Sequence, residues 1–141
     1  MKDLKTITIL FRATDALERV IREDTKQYGL NLTEFGVMEA LYHKGELPVA
    51  TILDKVLVAN SSMSYALDIL EKKQFITRVK NPHDGRSFLI TLTEQGKTLF
   101  DCVYQEHFKN MRHYLGSLSA KEERMLQELL KKMGKKLEER Q

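Results

Sequence analysis

The sequence predicts a mainly α (α+β) fold, several helices around one short β-hairpin, in a single domain. Three observations carry that prediction. Apolar residues recur at helical spacing through both ends of the chain, and only two prolines and seven glycines interrupt its 141 residues. The apolar period switches from helical to alternating in one stretch alone, about residues 75–92. Hydrophobic residues at 42% and charged residues at 30% give a globular balance, enough to bury an ordinary core beneath a solvated surface.

Taken in order, residues 4–28 form a helix. Leu4, Ile7, Phe11 and Thr14 share one face, Leu10, Ala13, Leu17, Val20 and Ile21 widen it, and Gly29 ends it. Asn31 or Thr33 caps a second helix, whose inner face is Phe35, Met38 and Leu41/Tyr42 and which closes at Lys44-Gly45. Pro48 opens a short third helix at a first-turn position, where its missing N–H costs nothing, with Ile52, Leu53 and Val56 as apolar residues. A break at Leu57-Val58-Ala59-Asn60 leads to a fourth helix over about residues 61–74, with Met63, Ala66/Leu67 and Leu70 facing inward.

Phe75-Ile76-Thr77-Arg78-Val79-Lys80 and Phe88-Leu89-Ile90-Thr91-Leu92 then read as strands. The turn formers Asn81-Pro82-His83-Asp84-Gly85-Arg86-Ser87 between them make an extended polar hairpin tip. A long helix follows Thr93-Glu94-Gln95-Gly96 to about residue 115, with Leu99, Phe100, Val103, Tyr104, His107, Phe108, Met111 and Leu115 at its apolar positions. Ser119 and Glu122 stand at capping-box spacing before a last helix striped by Leu126, Leu129, Leu130, Met133 and Leu137.

Two short helices separated by a four-residue break and followed by a hairpin make a winged helix-turn-helix. In such a motif the second helix enters the major groove with its N-terminal residues toward the base edges. Those residues here are Asn60, Ser61, Ser62, Ser64 and Tyr65, all hydrogen-bonding types. Arg86 beside a glycine in the hairpin tip can extend into a minor groove, and Asp84 two residues before it can pair with it and fix its direction. Lys80, Arg78, Lys72 and Lys73 are candidates for phosphate contacts. The net charge of +3 suits an anionic partner.

The apolar stripes of the two terminal helices exceed what the middle of the chain can cover. A homodimer built from residues 1–30 and 97–141 is therefore expected, with residues 31–96 as the DNA-binding lobe.

On Leu32-Thr33-Glu34-Phe35, Asp68-Ile69-Leu70-Glu71, Asp84-Gly85-Arg86 and Leu89-Ile90-Thr91-Leu92-Thr93-Glu94-Gln95-Gly96, the chain resembles the MarR family of bacterial winged-helix regulators. The resemblance implies a repressor of a palindromic operator, with Arg86 in the minor groove, Asp84 orienting it, and Ser61, Ser62, Ser64 and Tyr65 facing the major groove. It departs from the family at Leu57, where glycine is common, at Ala59, where a capping serine is common, and at Tyr65 and Gly85, where arginines are common. Release by a small aromatic, phenolic or quinone-like effector is implied as well. Phe11, Tyr28, Phe35, Met38, Tyr42 and Phe108 are candidates to line its pocket. Two alternatives stand beside that reading: an oxidant sensor using Cys102, and a winged-helix module serving protein–protein contacts.

Other classes find little support. His43, His83, His107 and His113 lie on different elements or off a shared helical face, so no metal-ligand pair and no catalytic set converges, and no cofactor or enzymatic activity is expected. Neither a nucleophile elbow nor a glycine-rich phosphate loop occurs. The absence of a long apolar run and of a signal peptide, together with one cysteine, Cys102, implies a cytoplasmic protein.

Overall fold

A computed structural model of the chain describes residues 3–56 and 60–139, and of Asn60 and Ser61 the backbone alone. The elements are α1 (Lys5–Lys26), α2 (Leu32–Lys44), β1 (Leu47–Pro48), α3 (Val49–Val56), α4 (Asn60–Lys72), β2 (Ile76–Asn81), β3 (Asp84–Leu92), α5 (Glu94–Tyr114) and α6 (Ala120–Glu138). A single turn of 3₁₀ helix, Leu115–Ser117, joins the last two. The winged helix-turn-helix expected from the sequence is present: α3 and α4 followed by the β2–β3 hairpin. Among the described residues no helix is long and apolar enough to cross a membrane.

The helix ends follow local chemistry. Gly29 and Gly45 sit at φ 74° and 78°, the left-handed conformation that stops α1 and α2 at little steric cost. Asn31 rather than Thr33 caps α2: its side chain accepts the Glu34 amide at 2.8 Å while Glu34 Oε1 accepts the Asn31 amide at 3.0 Å. Such a box is worth about 1 kcal/mol. After α4 it is Gln74, at φ 65°, that takes the left-handed turn.

The structure differs from expectation in three places. Pro48 does not open α3; it ends β1, which pairs antiparallel with β3 at Leu47↔Ile90 and Pro48↔Leu89. This third strand makes a sheet of order β1-β3-β2. Proline is tolerated because β1 is a two-residue edge strand. Asn60, placed by the sequence in the break, is the first residue of α4; Leu57, Val58 and Ala59 lie outside the described residues. The hairpin tip is short rather than extended: β3 begins at Asp84, opposite Asn81, leaving Pro82-His83 as the turn beside a bulge at Lys80/Asn81.

The chain divides into two compact units, Met1–His107 and Phe108–Gln141. The first therefore holds residues 1–30 together with the winged lobe. Its core is built on α2, where Val37 and Met38 are wholly buried, against Ile52 of α3, Met63, Leu67 and Leu70 of α4, Ile76 and Ile90 of the sheet, and Phe100 and Val103 of α5. In the second unit a Ser119–Glu122 capping box opens α6. Arg112 donates to both carboxylate oxygens of Glu123, at 2.8 and 3.2 Å. That bidentate contact holds the Glu123 carboxyl below its ordinary range.

Candidate nucleic-acid interface

Helix α4 buries Met63, Ala66, Leu67 and Leu70, a stripe at i, i+3, i+4 and i+7 that fixes its rotation. The opposite face is turned outward, so Ser62, Ser64 and Tyr65 are exposed, Tyr65 to 67%. A side chain that open contributes little to the packing of its own helix and is available to a partner outside the chain. Asn60 and Ser61 stand in the first turn of the same helix, where backbone N–H groups favour an anion.

The wing rises beside this helix. Ile76, Arg78 and Lys80 alternate onto one face of β2 and pair with Leu92, Ile90 and Phe88 of β3. Ile76 and Ile90 anchor that face in the core, and Lys80 carries it outward as an exposed cation. The turn is held by its own side chains: Asn81 Oδ1 accepts the His83 amide at 2.9 Å, and Ser87 Oγ donates to the Asp84 carbonyl at 3.3 Å. Asp84 Oδ1 accepts the backbone amide of Arg86 at 3.1 Å. The expected carboxylate–guanidinium pair is not formed among the described residues. Asp84 instead fixes the backbone from which the exposed Arg86 side chain departs, because a two-residue turn brings that amide within its reach.

The four lysine and arginine candidates separate by pairing. Arg78 Nη2 donates to Asp68 Oδ1 at 2.5 Å and to Glu71 Oε1 at 2.9 Å, which ties β2 to α4. Those two carboxylates raise the guanidinium pKa further above its ordinary value, Glu71 most. Lys73 Nζ donates to the Gly29 carbonyl at 3.1 Å. Lys72 and Lys80 are exposed. The basic surface is thus Lys72, Lys80 and Arg86, with Arg78 spent on holding the wing against the helix.

A second feature of the first unit is an open cavity of about 880 Å³ lined by α1, α2, the end of α3 and His107 of α5. Of the six candidate pocket residues, Phe35 lines it. Met38 is fully buried in the core; Tyr42 packs on Phe100 with ring centroids 5.0 Å apart. Phe11 is 72% exposed, and Phe108, in the second unit, 53%. Tyr28 is half-buried, and its hydroxyl donates to Asp24 Oδ1 at 3.2 Å; desolvation first, then the Asp24 charge, pushes its pKa up to about 12. Met38 and Tyr42 lie on the core face of α2, whereas the cavity faces its Leu32–Gly36–Glu39–His43 stripe.

The polar residues behind that cavity were missed. Asp24, 3% exposed, and His107, 9% exposed, join α1 to α5 through Nδ1···Oδ2 at 2.7 Å. A signal for them existed. Asp24 continues the Leu17–Ile21 stripe and His107 continues the Phe100–Val103 stripe, and a polar residue inside an apolar stripe requires a partner. Cys102 is exposed, and the neighbouring Asp101 accepts the Tyr42 hydroxyl at 2.6 Å.

With that geometry established, known proteins fall in line with it. Residues 30–88 match the family model described as MarR family. The chain is 36% identical over 133 residues to the HTH-type transcriptional regulator MhqR of Bacillus subtilis (strain 168), covering 94% of this chain and 92% of that protein. It superposes with a TM-score of 0.81 on a mutant MarR from E. coli complexed with operator DNA, at 21% identity, covering 92% of this chain and 94% of that one. NadR in complex with 4-hydroxyphenylacetate gives a TM-score of 0.77 at 21% identity, covering 94% of each chain. A regulator matched along nearly its whole length, a matching family model and a shared winged fold have one reading: this chain belongs to the MarR family of transcriptional regulators.

Proposed function

We propose that this protein is a repressor that holds a palindromic operator as a homodimer and releases it when a small aromatic, phenolic or quinone-like compound binds. The observation that carries the DNA-binding part is the outward face of α4, with Ser62, Ser64 and Tyr65 exposed beside a wing bearing Lys80 and Arg86. Asn60, Ser61, Ser62, Ser64 and Tyr65 read the major groove, Arg86 enters the minor groove from a turn fixed by Asp84, and Lys80 meets phosphate. Two copies related by a twofold axis place two such helices one helical turn apart on DNA, so half-site centres fall about 34–36 Å apart. Support for the effector comes from the cavity of about 880 Å³ in the first unit and from NadR, whose structure contains 4-hydroxyphenylacetate. Release without thiol chemistry predicts that Cys102→Ser keeps its inducer response.

Binding to duplexes selected from a random-sequence pool, against scrambled ones, over a salt series tests this mechanism. Arg86→Ala removes one cation per subunit, so affinity falls and the salt dependence becomes shallower by up to about two counterion units per dimer. Tyr65→Ala alters the preferred bases instead, by less than the about 1–3 kcal/mol of a bidentate base contact, because a tyrosine offers a single hydroxyl. Binding of Arg86→Ala like wild type at every salt concentration would show that the wing does not touch DNA.

A further inference from the structure

The wing carries a titratable side chain at its apex. The last pair of its ladder is Asn81↔Asp84, so Pro82 and His83 form the apex, beyond Lys80 on one strand and Arg86 on the other. The turn is held by main-chain donors. The His83 amide donates to Asn81 Oδ1 at 2.9 Å, and the Arg86 amide donates to Asp84 Oδ1 at 3.1 Å. Every residue from Pro82 to Arg86 is exposed. The charged groups around the imidazole are those of the hairpin itself. The Asp84 carboxylate favours a charged ring, and the Lys80 and Arg86 cations oppose it. Arg78, farther down β2, is paired with Asp68 and Glu71.

We propose that His83 is a proton-dependent DNA contact: its imidazolium enters the minor groove together with Arg86, and operator binding takes up a proton at each wing. The inference rests on the DNA-binding reading above and adds to it a further contact residue and a dependence on pH. A narrow minor groove has a strongly negative potential that draws arginine, lysine and histidine cations into it. A wing that brings Arg86 to the groove carries its apex there too, because the apex lies beyond Arg86 on the same hairpin. Histidine is the side chain whose ordinary titration lies near neutrality, at about pH 6.5. The phosphates that flank the groove favour the charged ring, so the complex holds a proton that the free protein gives up more readily. The bound state therefore carries more protons, at most one per wing and two per dimer, all taken from solution. Affinity is highest at acid pH and falls as pH rises through neutrality. Lys80 and Arg86 keep their charge over that range and cannot supply such a dependence. The other histidines, His43, His107 and His113, belong to α2 and α5 rather than to the wing.

The test uses the full chain and duplexes that it selects from a random-sequence pool at about pH 6, where the ring is charged. Binding is then measured at about pH 6 and about pH 8, at matched ionic strength and over a salt series. Wild type should bind at least tenfold more weakly at the higher pH, with a salt dependence shallower there by up to about two counterion units per dimer. His83→Gln, which cannot take up a proton, should reduce the difference to threefold or less. His83→Arg, a fixed cation, should bind tightly at both pH values. Both variants keep the backbone amide that bonds Asn81, so the turn is retained. A smaller pH difference in wild type, a larger one in His83→Gln, or the wild-type pH dependence in His83→Arg overturns the proposal. Arg86→Ala separates this inference from the reading beneath it. If Arg86→Ala weakens binding while His83→Gln keeps the wild-type pH profile, the wing still meets DNA and only the histidine contact fails. If Arg86→Ala binds like wild type at every salt concentration, the wing is off the DNA and both fail.

Discussion

Gly96 shows how one residue position sets the approach of two elements. Thr93 Oγ1 donates to the Gln74 carbonyl at 2.6 Å and accepts the Gly96 amide at 2.9 Å, and a Cβ on Gly96 would meet the Phe75 carbonyl oxygen. Gly96→Ala therefore forces the start of α5 off the Phe75 backbone between α4 and β2 and should cost about 2 kcal/mol or more, read by denaturant unfolding. Tyr28 makes a different residue-scale prediction. Its pKa is raised from 10.0 to about 12, so the folded protein keeps the proton that the unfolded chain loses first. That contribution is whole below pH 10 and is lost as pH rises through about 12. Tyr28→Phe should give a shallower loss of stability across that window than wild type. The change is partial, because Tyr42, raised by its hydrogen bond to Asp101, acts with the same sign. The sequence alone marked Arg86 and Tyr65 as surface groups because turn and helix chemistry are local. It did not mark the Asp24–His107 pair, whose partners are 83 residues apart.

At the scale of elements, the hairpin and α4 were legible from period alone, since each buries a stripe that repeats at its own spacing. Strand β1 was not: two residues have no period, and Pro48 beside a helix resembles a first-turn proline. Nor was the role of Arg78, because a cation near a wing has the same sequence signature whether it faces phosphate or a carboxylate. Its bonds to Asp68 and Glu71 give it a positioning role: it pairs with two anions of α4 and ties the wing to that helix. Arg78→Ala should weaken DNA binding at least tenfold and cost about 1 kcal/mol of stability, as partly exposed pairs do. The salt dependence should stay as steep as wild type, unlike that of Arg86→Ala, since no phosphate contact is lost. Adding Asp68→Asn and Glu71→Gln should recover much of the affinity by removing the exposed anions. A salt slope that falls as far as in Arg86→Ala would mean that the pair opens and Arg78 moves to the DNA.

The whole molecule raises a question of cover. From Phe108 to Glu139 no described residue is buried, although this unit holds a helix of 19 residues. Leu126, Leu129, Leu130 and Leu137 of α6 are 40–60% exposed along one stripe, and Leu4 at the N-cap of α1 with Ile7 and Phe11 in that helix are 50–72% exposed along another. Neither helix could persist in water on propensity alone, because most helical stability comes from packing an apolar face. Each fully covered leucine is worth about 1.5–3 kcal/mol, so hiding both stripes outweighs the entropy of joining two chains. The proposed function calls for a second copy of the same chain as that cover, since a twofold dimer would also deliver two α4 helices to a palindrome. Sedimentation at micromolar concentration should therefore show a dimer with no stable folded monomer, and the melting temperature should rise with protein concentration, since association stabilises by mass action. Leu129→Lys places an unpaired charge within the stripe and should yield monomer or unfolded chain. Lys131→Ala, at an exposed position in an ion pair with Glu128, should leave the dimer unchanged and controls for any effect of altering α6. A Leu129→Lys protein that sediments as a dimer and melts like wild type would place the subunit interface elsewhere.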